Sequence, residues 1–386
     1  MTQKILKVVH IITRFIRGGA DENTLLSCNS FAQNGHDVTL ILGREHSEAM
    51  LHKLHPSVQT ICIDSLRRSI DPWADASALF HLRRILRRLK PDVIHTHTSK
   101  AGVLGRAAAI GLRKTVVVQG IHILPFVNVG AVQRAVYLGL ERALVPFTQK
   151  YVSVSSGVRD TAISHGIGLP DAHELVLSGM NLAEFTRLRD AAVKRPQAAV
   201  ENRRYRVLYL ANYERRKQHR ELIEAIASER ERFADTTFLL AGQGAGQASL
   251  DSLMLHHALN DTVSIVGFVE EPSNVIATAD ICLYCSAREG LPRALVQYCA
   301  AGRPIVTFDL PGLDAIVRRG VNGLVYAQGD FPGLLAGVRQ LLDDSALRED
   351  MAAAAASAPI DSWSAEHMYD RLQAVYWDAI QAKRAR

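Results

Sequence analysis

Lys217 and Glu289 carry opposite charges on two segments built alike, each following a β-branched run and preceding a helix-forming stretch. In "YRVLYLANYERRKQHRELIEAI" Asn212 falls in the loop and Lys217 at the start of the next helix. A lysine ammonium is a compact point charge suited to a phosphate oxygen, and a helix start favours anions. A solvated basic loop would look the same. In "ICLYCSAREGLPRALVQYCAAGRPIV" Glu289 stands on the loop, and Gly290, Leu291 and Pro292 lead into a helix that carries Gln297. Backbone N–H groups at this helix start can meet a phosphate or sugar oxygen, while the carboxylate accepts from hydroxyls. Polyols beside phosphates are what a nucleotide sugar presents.

The first half offers three more such loops. In "TRFIRGGADENTLL" Gly18 and Gly19 precede a helix, so a phosphate could approach bare backbone N–H groups there, although an ordinary tight turn has the same sequence. "DVIHTH" ends with His95 and His97, two apart and on one strand face, and "TSKAGVLGR" follows with Lys100 and Arg106. A metal site would need a third ligand at suitable spacing, which the sequence does not show, so the pair reads as a polar strand end. His122, in "QGIHILPF", also falls at a strand end, where a structural or a functional role is open. "LLAGQGAGQASL" has Gly242 and Gly244, but Gln247 holds the third glycine's place, which fails the dinucleotide fingerprint.

These loops need strands behind them. "ILKVVHII", "DVTLIL", "DVIHTH", "TVVVQGI", "YVSVS" and "ELVLS" alternate with helical patterns in the first half. "YRVLYL", "TTFLLAG", "VSIVG", "ICLYC", "PIVTFD" and "GLVYA" do so in the second. Such alternation predicts parallel βαβ units, and 386 residues exceed what one core usually holds. The reading is an α/β protein with two doubly wound domains, 1–186 and 205–360, joined by an irregular linker at 187–204. A terminal helix at 361–386, with apolar residues at 368, 372, 375/376 and 379/380, is expected to dock on one domain, the N-terminal one being the candidate. Ligands bind beyond the carboxyl ends of such strands, so the cleft facing both sheets is the expected site.

Composition narrows the partners. Hydrophobic residues at 48% and charged residues at 22% are ordinary for folded proteins, and no apolar run is long enough to span a bilayer. Five cysteines lack framework spacing, and Cys282 and Cys285 sit in a buried-strand pattern that sends them to opposite faces, so reduced thiols and a cytoplasmic setting are expected. A net charge of +6 favours phosphates and acidic lipid, whereas no nucleic-acid-binding signature is visible. "LFHLRRILRRLK", residues 79–90, sets Leu79, Leu82, Ile85, Leu86 and Leu89 against Arg83, Arg84, Arg87, Arg88 and Lys90, a pattern suited to an anionic membrane surface or to a solvated crossover helix.

Taken in order, these segments resemble family 4 of the retaining glycosyltransferases over almost the whole chain. The glycine pair Gly18-Gly19, "IHTHTSKAG" at 94–102, His122, "SGMN" at 178–181, "ANYERRKQ" with Lys217, "VGFVEEP" with Phe268 and the Glu289 motif each match a family segment. The resemblance implies a GT-B fold and transfer from a nucleoside diphosphate sugar to an acceptor hydroxyl with retention, by same-face, leaving-group-assisted attack and without a metal or other cofactor. It places Glu289 on the donor sugar, Lys217 on the diphosphate, Phe268 beside the base and His122 at the acceptor or reacting sugar. Gln297 stands where the family has a ribose-binding glutamate, and Asn212 where it often has a phosphate-binding arginine. Glutamine still accepts a hydroxyl but loses the charge-assisted part of the bond; Lys217, with Arg215 or Arg216, must then neutralise more of the phosphate. The expected acceptor is a saccharide or lipid-linked saccharide of cell-surface polysaccharide synthesis, met at the inner face of the membrane. A small soluble acceptor, or a nucleotide-sugar-binding protein that has lost turnover, are the alternatives. For a nucleotide-sugar 2-epimerase the chain shows no placeable paired carboxylates, and for a phosphorylase it shows no pyridoxal-binding lysine segment.

Overall fold

The computed structural model describes residues 4–16, 18–127, 129–193 and 204–385. These form two compact units, Met1–Met180 with Asp361–Arg386, and Asn181–Ile360.

The first unit holds seven parallel strands: β1 (Lys7–Phe15), β2 (Asp37–His46), β3 (Gln59–Ile63), β4 (Val93–His97), β5 (Val116–Ile121), β6 (Lys150–Ser153) and β7 (His173–Leu175). Their order across the sheet is β3-β2-β1-β4-β5-β6-β7. The run Val8 to Ile12 is buried on both faces because helices cover both sides, which is why parallel strands read as continuous apolar runs. The sequence reading misses β3. It is an edge strand with three of its five residues exposed, so it shows no apolar alternation.

One face of this sheet packs against the terminal helix Ala365–Arg384, whose Met368, Leu372, Val375, Tyr376, Ala379 and Ile380 join the core of Val8, Ile12, Val93 and Val118. On the other face, Ala78, Leu82 and Leu86 of the helix Pro72–Leu89 pack over Val9, Ile11 and Ile94.

The second unit holds six parallel strands: β8 (Tyr205–Leu210), β9 (Thr236–Ala241), β10 (Val263–Gly267), β11 (Ile281–Tyr284), β12 (Ile305–Phe308) and β13 (Gly323–Tyr326). Their order is β10-β9-β8-β11-β12-β13. The irregular linker expected over 187–204 is corrected in its first part, since Ala183–Val193 is a helix belonging to the second unit. Burial of Leu182 and Phe185 and the bond from Arg189 Nη1 to the Ala356 carbonyl (3.0 Å) hold it there. Residues 194–203 lie outside the described residues.

In each sheet the chain winds one way from the central strand and then the other. The two switch points lie between β1 and β4, and between β8 and β11. Loops leaving the carboxyl ends of those strands diverge and leave a crevice for a ligand. The β1 loop carries Gly18 and Gly19, the β8 loop carries Asn212 and Lys217, and the β11 loop carries Glu289.

Candidate active site

At the second switch point Lys217 and Glu289, 72 positions apart, are in direct contact, with Lys217 Nζ 2.5 Å from Glu289 Oε1. The same oxygen accepts from Ser286 Oγ (2.6 Å) and Tyr284 OH (3.0 Å), while Oε2 accepts from Arg216 Nη1 (2.9 Å). Lys217 Nζ also donates to Tyr284 OH at 2.9 Å. Burial pushes the Glu289 carboxyl up, but the charges of Lys217 and Arg216 more than offset this and hold it below the usual range. Burial lowers the Lys217 ammonium, which Glu289 partly restores. The result is a carboxylate fixed in position by four donors. An ammonium has three N–H donors, and Lys217 spends two here, which leaves one for a phosphate oxygen.

The local sequence builds this arrangement. Gly242 follows β9, where a Cβ would lie 2.0 Å from the Ala211 carbonyl oxygen, so only glycine lets the β8 loop close against it. Lys217 is anchored from behind, its carbonyl accepting from Tyr209 OH at 2.6 Å. His219, which opens the helix His219–Ser228, stacks on Tyr209 at 4.7 Å between ring centroids. Burial, with the Lys217 charge adding to it, lowers His219 to about 3, so this ring adds no charge at the helix start.

The other expected donor-site residues are in the same unit. Gly290 and Pro292 are buried, Leu291 is half-buried, and together they lead into the helix Arg293–Ala300. Gln297 is half-buried on that helix, and Asn212 is half-buried in the β8 loop. Phe268 is 50% exposed and follows Gly267, whose φ of 76° suits glycine. Of the two arginines offered as phosphate partners, Arg216 is engaged by Glu289 and by Glu214 (2.8 Å), whereas Arg215 is exposed. Tyr284 and Ser286 were not expected. Their signal was their place at the end of a strand beside the switch point. Gln297→Glu, which restores a charge-assisted acceptor, is expected to lower the Michaelis constant for the donor or leave it unchanged, with kcat within about twofold. Initial-rate kinetics decide this, and a large loss of kcat with unaltered donor binding would give Gln297 another partner.

Gly18, Gly19 and His122 belong to the first unit. Gly18 caps the helix Gly19–Gln33, but Asp21 in its first turn is buried, and its Oδ2 accepts from Ile16 N at 3.3 Å. Burial raises this carboxyl to about 6, with Arg14 opposing. An ionised Asp21 would compete with a phosphate for the positive helix end. His122 follows β5, its Nε2 3.0 Å from His97 Nδ1. The third histidine that sequence spacing did not show is His10. It lies on β1 opposite His95, and its Nδ1 is 2.9 Å from His97 Nε2. His10, His95 and His97 form a group whose atoms could hold a metal, and the polar strand end read from the sequence gains this third histidine because strand pairing joins residues 87 positions apart. Thr98, next in the chain, has φ 65° and ψ 170°, a region nearly restricted to glycine that costs about 1–3 kcal/mol and often marks functional sites. Lys100 and Arg106 do not line an open strand end. Lys100 pairs with Asp75 at 2.5 Å, and Arg106 is fully buried with its Nη2 2.6 Å from Glu141 Oε2.

Two doubly wound parallel sheets of seven and six strands are the GT-B architecture. The chain's superposition on known structures agrees: over 96% of its length it matches 98% of Anabaena Alr3699/HepE, solved with UDP and glucose, at a TM-score of 0.77 and 18% identity. Residues 18–178 match the "Glycosyl transferase 4-like domain" and residues 190–358 match "Glycosyl transferases group 1". The chain belongs to the family 4 GT-B glycosyltransferases. Relatives include the UDP-Gal:alpha-D-GlcNAc-diphosphoundecaprenol alpha-1,3-galactosyltransferase of Escherichia coli, 20% identical over 99% of both chains. The N-acetyl-alpha-D-glucosaminyl L-malate synthase of Bacillus anthracis is 20% identical over 91% of both.

Proposed function

We propose that the chain is a retaining glycosyltransferase that moves a sugar from a nucleoside diphosphate sugar to a hydroxyl of a lipid-linked saccharide, in the synthesis of cell-surface polysaccharide. The observation that carries the donor assignment is the Lys217–Glu289 pair at the second switch point. The C1–O bond to the β-phosphate breaks with its electron pair going to the departing diphosphate. The acceptor oxygen bonds C1 from the same face, and its proton passes to the departing phosphate oxygen. Lys217 and the exposed Arg215 stabilise the charge that develops there, a role for preorganised cations that we read as needing no metal. Glu289 orients the sugar through its hydroxyls, and His122 holds the acceptor or reacting sugar. Transfer that persists in EDTA, with the product's anomeric configuration unchanged by NMR, tests the retaining, metal-independent reading.

The lipid acceptor is supported by the E. coli relative and by the helix Pro72–Leu89. Its exposed residues Trp73 (88%), Phe80 (65%), Arg84, Arg87 and Arg88 fall at offsets of 0, 7, 11, 14 and 15, which is one helical stripe. Arg83 leaves the expected cationic set, because it donates to the carbonyls of Ala108 (3.3 Å) and Ile110 (2.9 Å). No helix among the described residues is long and apolar enough to cross a membrane. A basic residue near an anionic surface contributes roughly 1 kcal/mol, so changing Arg84, Arg87 and Arg88 to Gln is expected to weaken binding to anionic vesicles on the order of 100-fold. Vesicle sedimentation at low salt measures this. A wild-type protein that stays in the supernatant would favour a small soluble acceptor, the reading that the L-malate synthase relative supports.

A further inference from the structure

The first unit contains a line of three imidazoles that no step above uses in full. His10 Nδ1 lies 2.9 Å from His97 Nε2, and His97 Nδ1 lies 3.0 Å from His122 Nε2. His10 and His97 are fully buried, where the charged imidazolium is disfavoured, and along the line each meets another imidazole nitrogen rather than a carboxylate. Each is therefore neutral and carries one ring proton, which leaves two ways to order the line. If the proton sits on Nε2 throughout, His122 donates to His97 and His97 to His10. His10 Nε2–H would then be a buried donor, yet this atom has no partner among the described residues. Orphaned buried N–H groups are rare. In the opposite order His10 Nδ1–H donates to His97 Nε2 and His97 Nδ1–H donates to His122 Nε2. The atom left over is then a bare lone pair, which is the less costly orphan.

We infer that His97, backed by His10, is a positioning residue that fixes His122 as the tautomer with its proton on Nδ1. His122 then meets sugar or acceptor oxygens as a hydrogen-bond donor and offers no lone pair at that atom to act as a base. This rests on the role given to His122 above, and it agrees with the acceptor proton leaving on the phosphate. The 2.9 Å contact favours the hydrogen-bonded line over a metal held by the same atoms. Two nitrogens bound tetrahedrally at about 2.0–2.1 Å from zinc would stand roughly 3.3–3.4 Å apart. A β-carbon at Gly120 would lie 3.0 Å from His95 Nε2 and 3.3 Å from both His97 Nδ1 and His122 Nε2, so a side chain on β5 here would press the imidazoles to shift by a few tenths of an ångström.

Nitrogen-15 NMR of histidine side chains in the full-length wild-type chain tests the inference without reference to activity. His10, His97 and His122 are each expected to show a protonated Nδ1 and a bare Nε2. A proton on His122 Nε2, or stoichiometric metal in the purified protein, would overturn it. In His97→Phe, His122 should become a mixture of tautomers, and kcat should fall at least tenfold with the donor KM within about twofold. His97→Gln can donate through Nε2 and accept through Oε1, and should retain more kcat than His97→Phe. A folded His97→Phe with unchanged kcat and an unchanged His122 spectrum contradicts the positioning role. If His122→Ala keeps full turnover while the wild-type spectrum is as expected, the tautomer order stands and the role given to His122 falls.

Discussion

Lys217→Ala and Glu289→Ala are each expected to cut turnover at least tenfold, about 1.4 kcal/mol in the barrier. Lys217→Ala removes the N–H donor proposed for the departing phosphate and one of the four donors that hold Glu289. Glu289→Ala removes the acceptor proposed for sugar hydroxyls and leaves Lys217 and Arg216 facing each other without it. The two losses should be strongly non-additive in the double variant, because each side chain positions the other. Steady-state rates on variants with wild-type circular dichroism check this, and near-normal rates in both would remove the donor-site assignment. The pair also has a pH signature. Glu289 is depressed in the folded state, so its contribution to stability is present above the unfolded value near 4.3 and is lost only as the pH falls through the lower folded value. The pair should therefore be intact at neutral pH.

Arg106→Met is expected to destabilise the first unit by about 3–5 kcal/mol, since it leaves the Glu141 carboxylate in its largely buried place without its partner. Arg106 also donates through Nε to the Gly102 carbonyl at 2.9 Å, a bond that methionine cannot make. Arg106→Met with Glu141→Leu should recover most of the loss, because replacing both members of a buried pair by apolar groups is often close to neutral. Urea unfolding of the three proteins measures both effects. A single variant within about 1 kcal/mol of wild type would mean that Glu141 finds water or another donor.

The contrast between Lys217 and Arg106 shows what was legible in the sequence. Both were noted as basic residues near strand ends. Lys217 sits on a switch-point loop that the strand pattern locates, so its place followed from the β-branched run before it. Arg106 lies about two turns into the helix Ser99–Ala109, and its partner Glu141 comes from the helix Ala131–Ala143, a tertiary contact. All six strands of the second unit were readable because each is a short apolar run closed by a turn. β3 was not, because an exposed edge strand needs no apolar face. The histidine line was half legible. His95 and His97 share a strand, but His10 joins them through the β1–β4 register, which depends on strand order rather than on spacing in the chain. The helix over Ala183–Val193 was hidden by its charged residues, and its tie to Ala356 is a tertiary contact.

Thermal shift against a panel of nucleoside diphosphate sugars tests the central claim most directly, because it needs neither the acceptor nor the linkage. One donor at about 100 times its dissociation constant should stabilise the wild type by about 2.7 kcal/mol. The shift should shrink in Lys217→Ala and Glu289→Ala. Absence of a shift with every nucleoside diphosphate sugar in a wild-type protein that melts cooperatively, or an undiminished shift in both variants, would contradict the account.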